Sequence, residues 1–182
     1  MIAPWASDPY LVVPYQPFVG ASNKNDIILT KALEHPERFL VSRFGDAHIL
    51  VARLLTSPES MVWEVWHQGQ LCGILILDRI VPAIDARMHL VFFDDELASK
   101  VALLREFTRR CFADFGLARL SFEAPEHNTT LLGFVRRKLG FRYEGESAGP
   151  GARRSSRRER AYWDGARWQD VVVLRKLAEG AT

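Results

Sequence analysis

The sequence predicts an α/β fold: a mixed sheet with helices on both faces. Three observations carry this. Strand-like and helix-like apolar periodicities alternate along the chain, a hairpin pattern stands near its middle, and a second hairpin pattern closes it. Strand-helix-strand units joined to antiparallel hairpins require a sheet of mixed direction.

The first twenty residues hold prolines at 4, 9, 14 and 17, which leaves room only for a short edge strand around Leu11 to Val13. "NDIILTKALEH" and "GDAHILVARLL" space their apolar residues by three and four, so two or three short helices precede residue 57. After the break at "SPES", "MVWEVWHQ" and "LCGILILDRI" read as two strands around a turn at Gly69, and "ARMHLVFF" as a third. From Leu97 to about Asp114 the positions Leu97, Val101, Leu104, Phe107 and Cys111 predict one helix, stopped by Gly116. "LARLSFEAP" is a strand with Leu120, Phe122 and Ala124 on its apolar face. "TTLLGFVRRKLGF" is a helix capped by Asn128 or Thr129 and closed at Gly140. The segment "FRYEGE", a polar segment from Ser147 to about Ser156, and the strands "RERAYW" and "RWQDVVVLRKL" joined through "DGA" complete the chain.

Length and composition limit the function classes. The 182 residues suit one domain, divided into an N-terminal edge strand with helices (1–57), a core (58–146), and an arginine-rich loop with a C-terminal hairpin (147–182). Apolar residues make up 48% and the net charge is +2, the balance of a folded globular chain and not of a disordered one. No apolar run approaches the length needed to span a bilayer, and "MIAPWASDPY" has no basic segment leading into an apolar stretch, so a cytoplasmic protein with no membrane partner is expected. Cys72 and Cys111 lack metal-ligand spacing and are read as buried thiols, with no metal site. "ARRSSRRER" holds five arginines and one acid, but no aromatics interleave within it. It reads as a solvated hairpin loop in preference to a nucleic-acid surface, with an acidic partner or a phosphate group as functional options.

The last third carries a family likeness. "LARLSFEAPEHNTTLLGFVRRKLGFRYEGE", followed by "RERAYWDGARWQDVVVLRKL", resembles the GCN5-related N-acetyltransferases (GNAT), especially the branch that modifies ribosomal proteins and similar amines. The order of elements matches over residues 61 to 177, and the residues themselves from Arg119 onward. The chain is also similar to divergent acetyltransferase-like proteins encoded by phages. The resemblance implies a mostly antiparallel, six- or seven-stranded sheet that splays between the strand ending at Phe93 and the strand ending at Ala124, with acetyl-CoA lying in the splay. It implies acetyl transfer to a primary amine: a protein N-terminus, a lysine or a small amine. A homo-oligomer or larger assembly is compatible with it. The alternative is a non-catalytic form of the fold that serves as a binding or structural module.

Parting strands lose sheet partners, and an amide-bearing arm such as pantetheine can pair with the freed backbone. The backbone of Val91, Phe92 and Phe93 is therefore the candidate cofactor edge, with the N–H groups of Leu97, Ala98 and Ser99 and the charge of Lys100 at the phosphate end. Asn128 is read either as a helix cap or as a ligand of the pantetheine near the sulfur; counted back from "LGF", the family's Asn falls on Thr129. Removal of the ammonium proton needs a base, often acting through water, and His89 and Glu123, on strands beside the splay, are the candidates, against structural and salt-bridged readings of each. The second helix offers no Tyr to protonate the thiolate.

The family's phosphate loop, Q/R-x-x-G-x-G/A, is missing: no glycine occurs between Gly73 and Gly116. Asp94, Asp95 and Glu96 stand there instead. At an effective dielectric of about 20, a carboxylate about 4 Å from one phosphate charge costs about 4 kcal/mol, nearly three decades of affinity. The acids either point to solvent, with Lys100 and the arginines around 153 to 160 compensating, or they close the site to an acyl donor.

Overall fold

The computed structural model describes residues 3–15, 22–34, 47–94, 97–144, 156–163 and 168–178. Asp95 and Glu96, residues 147–155 of the arginine-rich segment, the "DGA" turn and any third helix before residue 57 lie outside the described residues.

The strands are β1 (Trp5–Ser7), β2 (Tyr10–Pro14), β3 (Met61–His67), β4 (Gln70–Val81), β5 (Asp85–Phe92), β6 (Arg119–Pro125), β7 (Arg142–Tyr143), β8 (Arg157–Trp163) and β9 (Trp168–Leu177). The helices are α1 (Ser22–Glu34), α2 (Ala47–Thr56), α3 (Val101–Phe115) and α4 (Thr129–Leu139). The sheet runs β1-β2-β3-β4-β5-β6-β9, and β7 and β8 both pair with the far edge of β9. Among the described residues it has nine strands where the resemblance implies six or seven, because the proline-rich start folds back on itself as β1 and β2 and because β7 and β8 are separate short pieces beside one long strand. Among the described residues every pairing is antiparallel except β5 with β6.

That exception positions the site. The parallel ladder runs from Asp85↔Arg119 to Met88↔Phe122 and stops. Beyond it β5 stays on β4 as far as Phe92↔Gly73, while β6 stays on β9 as far as Pro125↔Val171, so the two strands part. Two local features hold β5 to β4. Cys72 is a bulged residue, since Trp66 pairs with Leu71 and Val65 with Gly73. Gly73 lets the strands touch: a Cβ there would stand 2.5 Å from Phe92 Cδ1 and 2.6 Å from the Val91 carbonyl oxygen. The β3–β4 turn is Gln68–Gly69 with φ of 50° and 77°, the geometry that suits a two-residue hairpin.

Alternation along the strands gives the sheet two faces. Leu75, Met88, Phe122 and Leu174 pack under α3 and α4, against Leu104, Phe107 and Val135. Ile74, Ile76, Val91 and Val171 pack on the opposite face, against Ile28 of α1 and Val51 of α2. Trp63 and Trp66 fall on opposite faces as alternation requires: Trp63 is buried edge-on to Phe107 at 5.3 Å, and Trp66 donates Nε1–H to Glu64 Oε2 at 2.8 Å. Helices α3 and α4 end at left-handed Gly116 and Gly140, as the sequence signals. Among the described residues no helix is long and apolar enough to cross a membrane.

Candidate functional site

The gap opens at the C-terminal ends of β5 and β6, and a chain of charged side chains crosses its root on the α1/α2 face. Asp78, at the end of the apolar run of β4, faces Arg87 across the hairpin. Arg87 grips it with two bonds, Nε to Oδ1 at 2.8 Å and Nη2 to Oδ2 at 2.5 Å. The third arm of the same guanidinium, Nη1, reaches Glu123 Oε2 on β6 at 3.1 Å, bridging the strands next to the last ladder pair. Glu123 Oε1 in turn accepts from Arg158 Nη1 of β8 at 2.6 Å. His89 completes the group, its Nε2 lying 2.9 Å from Asp78 Oδ1.

These groups are taken out of water together: the side chains of Asp78 and His89 are each 9% exposed, and those of Arg87 and Glu123 are 15% and 16%. Burial by itself would raise the Asp78 carboxyl, but hydrogen bonds from Arg87 and then His89, with their charges, outweigh it and hold Asp78 well below the usual carboxylate range. Burial likewise opposes the charge on Arg87, and the bonds and charge of Asp78, with Glu123 behind them, raise its pKa above the ordinary value. Arg158, half exposed, closes the chain on the solvent side of Glu123.

The sequence-derived residues thus sort as follows. His89 and Glu123 meet in one network, with both Glu123 oxygens accepting from arginine and His89 tied to a carboxylate. Val91, Phe92 and Phe93 bond only toward β4 in the ladders described, with Phe93 N–H donating to the Cys72 carbonyl at 2.9 Å. Asn128 caps α4, its Oδ1 accepting from Leu131 N–H at 3.1 Å. Thr129, at the register of the family's Asn, lines a shallow cavity of about 170 Å³ with Arg136 and Tyr143, on the α4 side of the sheet and away from His89.

Two structural features bear on the phosphate end. Residues Leu97, Ala98, Ser99 and Lys100 form a 3-10 turn, and the α-helix begins only at Val101, so the N–H groups of Leu97 to Ser99 are not its opening turn. Lys100 is buried: its side chain is 1% exposed, its ammonium lies 2.5 Å from Asp94 Oδ1, and it stands over the Phe92 ring at 5.1 Å and the Tyr10 ring at 5.8 Å. The reason is local. Lys100 has φ −97° and ψ 8°, between the 3-10 turn and the helix, and the charge carried inward is met by Asp94 and two aromatic faces. Ser99 is also turned to the protein, its hydroxyl 3.1 Å from that of Tyr10. The arginines at 157 and 158, grouped in the sequence with the phosphate-compensating charges, are paired as well: Arg157 with Asp170 and Glu126, Arg158 with Glu123.

Sequence reasoning missed Asp78 and the Arg158 contact. A signal for Asp78 exists, since it is a lone acid on the same strand face as Ile74 and Ile76, one hairpin away from Arg87 and His89. The bulge at Arg79, with φ 51°, hides the register that joins them.

No family model matches the chain, and no curated relative does. Solved structures do match. A spermidine N-acetyltransferase from Vibrio cholerae, in complex with CoA and spermine, superposes with a TM-score of 0.71 at 12% identity, covering 95% of this chain and 98% of that one. A GNAT-family protein from Chromobacterium violaceum gives 0.70 at 17% identity, over 96% and 91%. A dodecameric form of the Vibrio enzyme gives 0.67 at 12%, over 94% and 95%. At such identities the likeness speaks for architecture: the chain has the open, mostly antiparallel sheet with helices that GNAT acetyltransferases share.

Proposed function

We propose that the protein transfers an acetyl group from acetyl-CoA to a primary amine. The observation that carries this is the end of the β5–β6 ladder at Met88↔Phe122, after which β5 continues on β4 and β6 on β9, with a buried histidine-carboxylate pair at the root of the gap between them. The edge suits the amide-bearing arm of the cofactor, because a pantetheine amide can bond where β6 no longer does. When bound, acetyl-CoA supplies a thioester whose carbonyl carbon accepts the amine nitrogen as the carbon–sulfur bond breaks. The chain's own part is to hold the amine neutral and take its proton, and His89 is the base. Glu123 holds Arg87 and Arg158 across the gap, and Asn128 caps α4 beside it. The acceptor is a free amine of a protein or a small molecule. The narrower affinity, with ribosomal-protein acetyltransferases or phage-encoded forms, rests on the residues from Arg119 onward.

A second reading, a scaffold without acyl donor, is favoured by one observation: the Lys100 ammonium is buried and engaged by Asp94. Calorimetry with acetyl-CoA and with desulfo-CoA decides between them. Micromolar binding is the expected result, and silence to millimolar concentration gives the scaffold reading the field. Acetyl transfer is then assayed on a panel of spermidine, lysine and N-terminal peptides.

A further inference from the structure

We propose that Asp78 is the positioning residue for this chemistry: it fixes the His89 imidazole with its proton on Nε2, so that Nδ1 is the nitrogen that receives the proton of the acceptor amine. The inference rests on the acetyltransferase reading for its chemistry, but the tautomer it assigns can be measured on the protein alone.

Asp78 Oδ1 receives Arg87 Nε–H at 2.8 Å and Oδ2 receives Nη2–H at 2.5 Å. A carboxylate gripped on both oxygens by a guanidinium is ionised, and an ionised carboxylate only accepts. The contact of 2.9 Å between Asp78 Oδ1 and His89 Nε2 is therefore a hydrogen bond only if Nε2 carries the proton. In a neutral imidazole the remaining nitrogen, Nδ1, then holds the lone pair. Among the described residues nothing bonds Nδ1. When an amine gives up a proton to Nδ1, the imidazolium that forms lies beside a carboxylate already in place, and no group has to reorganise. The acyl-transfer balance is complete: nitrogen bonds to the carbonyl carbon, sulfur leaves with the electron pair of the broken bond, and the amine proton resides on Nδ1.

The charged groups around Asp78 explain why it, and not Glu123, does this. Glu123 is held by Arg87 from one side and Arg158 from the other, and no histidine is bonded to it. Asp78 joins the same Arg87 to the one histidine of the network, so Arg87 and Glu123 act as the anchor that keeps the Asp78 carboxylate ionised and oriented.

The test pairs spectroscopy with kinetics. Nitrogen-15 shifts of the His89 ring in the full-length protein are expected to show Nε2 protonated. In Asp78→Asn the side-chain amide can donate to Nε2, and the ring is expected to change to the Nδ1-protonated tautomer. With a competent acceptor, kcat for acetyl transfer is expected to fall by about 10²- to 10⁴-fold while KM for acetyl-CoA and for the amine stays within about twofold. Wild-type protein with Nδ1 protonated overturns the proposal, and that measurement needs no variant to fold. An active enzyme whose kcat survives Asp78→Asn overturns it while leaving the acetyltransferase reading intact. Wild-type protein that acetylates none of the panel removes the reaction, and with it the role proposed here, even where the tautomer is as assigned.

Discussion

Gly73→Ala tests the idea that close contact of β4 and β5 is what peels β5 away from β6. The added methyl would meet a ring carbon of Phe92 at 2.5 Å and the Val91 carbonyl oxygen at 2.6 Å. Phe92 can turn, but the oxygen is backbone and cannot. Restoring an ordinary contact requires the two strands to separate by roughly half an ångström or more, and overpacking of this kind costs about 1–3 kcal/mol. For a chain of this size each kcal/mol lowers Tm by about 2–4 °C, so the variant should melt about 2–12 °C below wild type. The strain falls at the edge proposed for the cofactor arm, so acetyl-CoA affinity should fall with it. Differential scanning calorimetry and isothermal titration on the same preparation read both quantities. A variant that melts within a degree of wild type and binds acetyl-CoA equally well would refute the reasoning.

Three further outcomes follow from the same geometry. Asp78 is held below its ordinary range in the folded state, so its contribution to stability is fully present above the unfolded carboxylate pKa of about 4 and is lost as pH falls below it. Urea midpoints from pH 7 to pH 3 should therefore decline more steeply for wild type than for Asp78→Asn, and parallel curves would contradict the pairing. Asn128→Ala removes the α4 cap and should cost about 1 kcal/mol; a loss of acetyl-CoA affinity beyond that measured for Thr129→Ala would add a ligand role to the cap. Burial raises both thiols, Cys111 more than Cys72, whose shift nearby Lys100 offsets in part. A thiol reagent at neutral pH should label Cys72 first and Cys111 only on unfolding, as mass spectrometry of timed digests would register.

Much of the architecture is legible because periodicity is a local property. The hairpin around Gly69, the strand ending at Phe92, the helix stopped at Gly116 and the Asn128 cap each follow from residues within a few positions of one another. The candidate site was half legible. Alternation put Arg87 and His89 on one face of β5 and Glu123 on the polar face of β6, but whether they meet depends on where the parallel ladder ends and on a bulge at Arg79. Neither is a matter of composition.

Lys100 marks the boundary most clearly. Its place after three acids reads as a compensating charge for a phosphate, because nothing local distinguishes an ammonium free to meet a ligand from one pointed at a carboxylate. Its conformation at the junction of two helix types, the ring of Tyr10 from a strand ninety positions earlier, and the carboxylate of Asp94 together bring it inside. By itself the sequence determined the order of elements, the two faces of the sheet and the absence of a glycine phosphate loop. Which charges neutralise one another was decided by tertiary structure, since ion pairing falls off within a few ångströms and those distances exist only once strands far apart in the chain have been laid side by side.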